Sequence, residues 1–149
     1  MLKFTRVIAG ADAAFEDLLD GVQAVFRSAF SFHPTYAEKI ADYARGRHPD
    51  GAEAVILAAS DARGQPLGFT VAFHFADIRC AYLDYLASAP DRAARGIGAA
   101  LYETMREDMA RRGARRLFLD ALPDDPALNL HKDLVPENRR RLAFYERLG

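Results

Sequence analysis

The stretch of sequence that decides the fold runs from Ser88 to Leu101 and reads SAPDRAARGIGAAL. An apolar segment from Cys80 to Ala87 precedes it and predicts a strand, and a helical pattern from Ile97 to Arg112 follows it. A loop between a strand and a helix offers free backbone N–H groups and the positive end of the helix dipole. Gly96 and Gly98 let a ligand approach the backbone, because neither carries a Cβ atom. The sequence therefore predicts a phosphate or pyrophosphate site here.

Paired glycines at the start of a helix occur in several kinds of loop. A dinucleotide-binding fingerprint needs a third glycine, where this chain has Leu101, and an early place in the fold. A Walker loop needs Gly-Lys-Ser/Thr, which the sequence lacks. An ordinary glycine pair at a helix start stays open at this point, since Gly-x-Gly alone is a weak signal.

Length and composition favour one domain spanning residues 1–149. Half of the 149 residues are hydrophobic and 28% are charged, which is typical of a globular domain with a buried core. The formal net charge is -1, whereas a general nucleic-acid-binding protein carries a basic excess. The first residues lack the apolar stretch of a signal peptide, and no run approaches the length of a membrane span. We therefore expect a cytoplasmic protein that binds neither nucleic acid nor membrane.

Cysteine and histidine usage argues against a metal site. The chain has one cysteine, Cys80, which excludes an internal disulfide and is expected to be a small core residue. The four histidines are scattered without the spacing of metal ligands.

Periodicity predicts the other elements. The predicted strands are Lys3–Ile8, Glu53–Ser60, Phe69–Phe75 and Arg116–Leu122, and the predicted helices are 12–30, Thr35 to about Arg45, and Glu137–Leu148. In the strand Phe69–Phe75, Phe and Val alternate with Thr70, Ala72 and His74, which predicts one buried face with His74 on the outer face. The order β-α-α-β-β-β-α-β-α predicts an α/β fold with a hairpin-rich sheet and one strand–helix–strand crossover.

The C-terminal helix adds a second motif. The residues from Asn138 through Phe144 and Tyr145 to Gly149 resemble the Asn…Phe/Leu-Tyr-x-x-x-Gly signature of the GCN5-related N-acetyltransferase (GNAT) superfamily. The loop Arg95–Leu101 resembles the acyl-CoA motif of that family, Gln/Arg-x-x-Gly-x-Gly/Ala, and Gly68 matches its central hairpin. Two separated motifs in the right elements are far more specific than either alone.

The resemblance implies a GNAT-like fold, with a mixed, mostly antiparallel sheet and flanking helices. The family fold continues with two more strands beyond the position of Gly149, so the domain is expected to lack those last two strands and to be C-terminally incomplete. An exposed sheet edge at the strand Arg116–Leu122 would then favour a homodimer through that edge.

The resemblance also implies acetyl-CoA as co-substrate, with no metal. The backbone of the strand end would hold the pantetheine arm, and the loop N–H groups would hold the pyrophosphate. The implied cofactor-binding residues are Leu86, Ala87, Ser88, Arg92, Ala94, Arg95, Gly96, Ile97, Gly98, Ala99 and Asn138.

The implied reaction is acetyl transfer by direct attack of a primary amine, on a small molecule or peptide, on the thioester. Tyr145 falls on the position that donates a proton to the leaving thiolate. Asp84 lies in an apolar strand, is expected to share a face with Tyr82 and Leu86, and is the candidate base, with an arginine partnership as the alternative. Asp120 is a weaker candidate for the base.

Three departures from the family pattern support a different function, and the expected lack of the last two strands is one of them. Ala93 occupies the position where the family's loop motif has Gln or Arg, and Arg141 occupies the position where the family's C-terminal helix has a small residue. The alternative is therefore a non-catalytic acyl-CoA-binding regulatory or interaction module of a larger protein.

Overall fold

The structure, a computed structural model, describes residues 1–11 and 13–149, and the side chains of residues 92–94 lie outside the described part. The described strands are β1 Lys3–Arg6, β2 Glu53–Ser60, β3 Pro66–Phe75, β4 Cys80–Ser88 and β5 Arg116–Leu119. The described α-helices are α1 Phe15–Ala29, α2 Ala37–Ala44, α3 Ile97–Arg111 and α4 Val135–Leu148. Short 3-10 helices occupy Pro34–Tyr36, Pro90–Arg95 and Lys132–Leu134.

The strands form one five-stranded sheet in the order β1-β2-β3-β4-β5. Each pair from β1 to β4 is antiparallel. The sheet as a whole is mixed, so the pair β4 and β5, joined through α3, supplies the parallel connection. The predicted α/β class and its mostly antiparallel sheet are confirmed.

Helices cover both faces of the sheet. On one face, α1 and α2 pack on alternate residues of the central strands, in a core that includes Leu19, Phe26, Ile56, Phe69 and Val71. On the other face, the start of α3 packs on β2, with Ile97 and Leu101 against Ala59. The loop that precedes α3 thus lies on the α3 side of a two-sided core.

The prediction that β3 has one buried face is wrong. Thr70 and Ala72 are fully buried and His74 is 7% exposed, although all three lie on the face of β3 that does not carry the phenylalanines. A Cβ atom at Gly68, on their face, would lie 2.9 Å from the Leu101 side chain. Helix α3 therefore covers the face that the alternation of residue types predicted to be the outer, exposed face.

Several predicted element bounds also change. Strand β5 ends at Leu119 instead of Leu122, and the Leu122 side chain is 54% exposed. Helix α4 begins at Val135 instead of Glu137, with Pro136 in its first turn, where the missing N–H of proline costs no hydrogen bond. Cys80 is half-buried and not a core residue, because it is the first residue of β4 and directly follows a turn. Its Sγ lies 3.3 Å from the carbonyl of Ile78 in that turn.

The chain forms two compact units, Met1–Phe118 and Leu119–Gly149. In the second unit, the buried Asn138 side chain donates a hydrogen bond to the Pro123 carbonyl (3.2 Å). Arg139 lies 3.6 Å from Asp124 in an ion pair. These contacts join α4 to the loop that precedes it.

Candidate active site

Strand β4 is interrupted by a bulge at Asp84. On β3, Val71 lies opposite Tyr85 and the next residue, Ala72, lies opposite Leu83. Asp84 has no opposite residue on β3, so it is the extra residue of a β-bulge. Bulges redirect side chains and are frequent beside active sites.

The bulge changes which side chains can lie on the same face of the sheet as Asp84. Tyr82 lies opposite Phe73, on the α1–α2 face, whereas Leu86 lies opposite Thr70, on the α3 face. Tyr82 and Leu86 therefore lie on opposite faces, and the prediction that Asp84 shares a face with both is wrong. The extra residue breaks the two-residue period on which that prediction depended.

Aromatic side chains pack on the α1–α2 face next to the bulge. The Tyr85 ring makes edge contacts with Phe26 and Phe30, at centroid distances of 5.0 and 5.4 Å. The Tyr43 ring contacts Phe73 edge-on at 5.1 Å. These contacts fix the two tyrosines that flank the bulge.

Electrostatic interactions place these groups near one another. Burial raises the pKa of Asp84, and the positive charge of Lys39 partly opposes that rise. Burial also raises the pKa of Tyr85 to about 12, with Asp84 as the next contribution. Burial and then Asp84 raise the pKa of Tyr43 as well. A half-buried carboxyl with a raised pKa inside an aromatic cluster is the kind of group that active sites use as a proton acceptor.

The loop after β4 leads into an uncapped helix. Gly96 has a φ of +74°, which glycine adopts without strain, and it precedes α3 without any side-chain cap. The bond from the Ala100 N–H to the Gly96 carbonyl, 3.0 Å long, begins the helix. The N–H groups of residues 97–99 precede that bond, so they have no acceptor within the α-helix.

The space around the start of α3 fits an anion. A Cβ atom at Gly96 would meet no atom within 4 Å, so the backbone conformation and not packing requires glycine there. A surface cavity of about 410 Å³ next to Ile97 is lined by two arginines, Arg63 and Arg95, and by one carboxylate, Asp61. The expected contacts of Arg92 and Ala94 lie outside the described side chains.

The end of β4 extends past β5. Leu86, Ala87 and Ser88 pair with Thr70, Phe69 and Gly68 of β3. At the other end of β4, the Arg115 N–H donates to the Arg79 carbonyl (2.7 Å), next to the start of the four-residue strand β5. Because β5 has four residues and β4 has nine, the segment of β4 from the bulge to Ser88 extends beyond the end of β5.

The chain matches a known family over most of its length. The profile of the Acetyltransferase (GNAT) family matches residues 15–134. The chain belongs to this family. No curated protein sequence matches it significantly.

Solved GNAT structures share the fold. Tetrahymena GCN5 is 15% identical with a TM-score of 0.73, and the match covers 99% of this chain and 78% of that chain. The ribosomal-protein-S18-alanine N-acetyltransferase of Escherichia coli is 19% identical (TM-score 0.69; 100% of this chain, 77% of that chain). An aminoglycoside 6'-N-acetyltransferase complexed with coenzyme A is 18% identical (TM-score 0.69; 99% and 83%). At these identities the likeness shows the fold.

In this GNAT chain the first unit brings together Asp84, Leu86–Ser88 and Arg95–Ala99 on one strand, loop and helix. Tyr145 belongs to the second unit, where it is half-buried on α4 and its ring lies 5.2 Å from that of Phe144. In the same unit, the Asn138 amide donates a hydrogen bond to the Pro123 carbonyl. The roles of Tyr145 and Asn138 remain predictions.

Sequence reasoning missed the cluster around Asp84. Tyr36, Lys39 and Tyr43 interact electrostatically with Asp84 or with its neighbour Tyr85. Their spacing of three and four residues, which places side chains on one face of a helix, was a usable signal.

No described helix is long and apolar enough to cross a membrane. In the part of the chain that the structure describes, no three His, Cys, Asp or Glu side chains form a group that could hold a metal ion.

Proposed function

We propose that this chain is an acyl-CoA-dependent N-acetyltransferase that moves an acetyl group from acetyl-CoA to a primary amine by direct attack. One observation carries the proposal: a single strand, loop and helix hold both a half-buried carboxyl at a bulge, Asp84, and an uncapped helix start at Gly96. Membership of the acetyltransferase family supports it, as does a structural neighbour that is complexed with coenzyme A.

The loop and helix start bind the CoA phosphates in this proposal. The N–H groups of Ile97, Gly98 and Ala99 and the helix dipole favour a pyrophosphate, and the exposed Arg95 adds positive charge. Arg92, Ala94 and Gly96 complete the loop. The backbone of Leu86, Ala87 and Ser88 holds the pantetheine arm, and Asn138 contributes from α4.

The chemistry requires one proton acceptor and one proton donor on the protein. Asp84 accepts a proton from the ammonium form of the acceptor, and the amine nitrogen then attacks the thioester carbonyl carbon. The C–N bond forms, the C–S bond breaks, and Tyr145 donates its phenolic proton to the departing thiolate. The proton lost by the amine in the attack goes to solvent, and the phenol is reprotonated from solvent. Each positioned acid or base of this kind contributes on the order of 10² to 10⁴ in rate.

We also propose the setting in which the protein acts. The acceptor is an amine on a small molecule or peptide, no nucleic acid or membrane takes part, no metal is needed, and the compartment is the cytoplasm. Two copies associate through the β5 edge, where the Phe118 side chain is 54% exposed.

Turnover of acetyl-CoA against a panel of primary amines tests this function. We expect CoA thiol release that depends on the amine and on Asp84. Asp77 lies exposed in the turn between β3 and β4, so Asp77→Asn is a matched control for Asp84→Asn and should keep full activity. Binding of CoA without turnover of any amine would instead favour the regulatory module, and absence of CoA binding would favour an interaction domain.

A further inference from the structure

Lys39 brings a positive charge to the cluster around Asp84. Its Nζ lies 4.2 Å from the centroid of the Tyr36 ring, a cation–π contact. The Tyr36 ring in turn stacks on His33 at a centroid distance of 4.9 Å. Since Lys39 and Tyr36 are exposed, this ammonium lies against the Tyr36 ring at the surface of the cluster and not within the core.

Two carboxylates act on the tyrosines of this cluster: Asp84, and on Tyr43 also Asp42, which is paired with Arg47 at 2.6 Å. Tyr43 of α2 and Tyr82 of β4 pack on the same apolar cluster, so the helix that carries Lys39 lies against the strand that carries Asp84. The charge of Lys39 opposes the raised pKa of Asp84 at the bulge. Tyr85, which flanks the bulge, is affected by Tyr36 and Tyr43 as well as by Asp84. The Asp84 carboxylate and the Lys39 ammonium group thus share an aromatic-lined patch formed by β4 and α2, within a single compact unit.

We propose that Lys39 determines acceptor specificity, by selecting amines that carry a carboxylate or similar anion close to the reacting nitrogen and by disfavouring polyamines. This inference rests on the proposed N-acetyltransferase function. The reacting ammonium group pairs with Asp84, and the anion of the same acceptor pairs with Lys39. A second ammonium on the acceptor meets the like charge of Lys39 and is repelled.

The pattern of charges argues for this acceptor class. A site that bound polycationic amines would be expected to present further unpaired carboxylates around the base, whereas the charge acting on Asp84 is that of a lysine and the Asp42 carboxylate is paired with Arg47 at 2.6 Å. An amino carboxylate satisfies both charges at once, and the partial burial of Asp84 strengthens its pairing with the ammonium group of the acceptor.

Two matched series of acceptors test the inference. The first is γ-aminobutyrate, butylamine and putrescine, which share four carbons and differ in the far-end charge. The second is alanine, alaninamide and propylenediamine, in which the second group lies closer to the amine. For each acceptor kcat/KM is measured with wild type, Lys39→Met, Lys39→Arg and Lys39→Glu.

We expect wild type to prefer the carboxylate member of at least one series over the diamine by about tenfold or more. Lys39→Arg should keep the preference, Lys39→Met should abolish it, and Lys39→Glu should reverse it, mainly through KM. Lys3 lies on β1, which two strands separate from β4 and Asp84 in the sheet. Lys3→Met is therefore the control and should behave as wild type. Equal melting temperatures separate specificity from folding.

Other outcomes overturn the inference in distinguishable ways. If wild type acetylates butylamine or putrescine at least as well as the carboxylates, or if Lys39→Met keeps the preference, Lys39 does not select the acceptor and the N-acetyltransferase function stands. If CoA binds and no amine of either series or of the wider panel is acetylated, the proposed function fails and this inference fails with it.

Discussion

The neighbouring strands β3 and β4 differ in regularity and burial. All residues of β3 from Gly68 to His74 are buried, under α1 on one face and α3 on the other. In β4, the three consecutive residues Asp84, Tyr85 and Leu86 are half-buried, and a bulge displaces the register at the first of them. The two strands are hydrogen-bonded to each other, but β3 is buried and β4 is partly exposed at its bulge.

This difference separates stability from function. The regular strand is surrounded by apolar side chains, which supply most of the favourable free energy of folding. The bulged strand keeps a carboxyl where its charged form is disfavoured, and such strained or desolvated groups are typical of functional sites. A substitution in β3 should therefore change stability, and one at the bulge should change activity.

The largest expected effect is on β3. Phe69 is fully buried and its ring centroid lies 6.3 Å from that of Phe26. Phe69→Ala leaves a cavity and should lower the free energy of unfolding by about 4 kcal/mol. Phe32 is 63% exposed, so Phe32→Ala is the control, with a loss below about 0.5 kcal/mol. Urea denaturation measures both, and similar losses would contradict the burial of β3.

At the bulge, Asp84→Asn should reduce kcat by about 10² to 10³-fold, because the amide cannot accept a proton. Its stability at neutral pH should be equal to or above that of wild type. Burial raises the folded-state pKa of Asp84, so the protonated form is the one that folding favours. That stabilisation is present below the unfolded-state pKa and is lost as the pH rises through the folded-state pKa.

The same shift sets the pH dependence of activity. Asp84 must be charged to act as a base, so kcat/KM of wild type should fall as the pH drops through a pKa above the ordinary aspartate value. Lys39 opposes the rise in the pKa of Asp84, and Asp84 in turn raises the pKa of Tyr43 and of Tyr85. An acidic limb that persists unchanged in Asp84→Asn would mean that another group is the base.

Local patterns predicted the elements, whereas the tertiary pairing that forms the bulge was not predictable. The run of apolar residues in Cys80–Ala87 predicts a strand, yet nothing in it marks Asp84 as the unpaired residue. That position depends on how β3 lies beside β4. The two-sided burial of β3 was missed for a similar reason, since α3 covers Thr70 and His74 from 23 or more residues further along the chain.

The candidate site was predicted in part. The glycine loop and Asp84 were found from motif and composition, because a helix start needs its own local sequence. The contribution of α2 was not found, since Lys39 and Asp84 are 45 residues apart in the sequence. The salt bridge of Arg112 with Glu53 (3.0 Å) is another long-range contact that no local pattern marks.

A smaller effect is expected on α4. Tyr145→Phe keeps the ring and its contact with Phe144 and removes only the hydroxyl group. If Tyr145 protonates the leaving thiolate, kcat should fall by about 10²-fold while the KM for acetyl-CoA hardly changes. Steady-state kinetics with the best acceptor decide this, and an unchanged kcat would reduce Tyr145 to a packing residue.

The smallest effect concerns the β5 edge. Phe118→Lys places a charge on an exposed position of that strand, and charged side chains discourage edge-to-edge pairing. A homodimer through this edge should weaken by about tenfold, as measured by light scattering over a concentration series. Identical association of the variant and wild type would place any dimer interface elsewhere.

Calorimetric titration with CoA tests the central claim most directly, namely that the loop between β4 and α3 binds acyl-CoA. The account predicts one CoA per chain for wild type and at least about a tenfold loss of affinity in Gly98→Trp, because a bulky side chain in the first turn blocks approach to the N–H groups. Ala110 is exposed near the other end of α3, so Ala110→Trp should bind as wild type does. Unchanged CoA affinity in a folded Gly98→Trp protein would contradict the account.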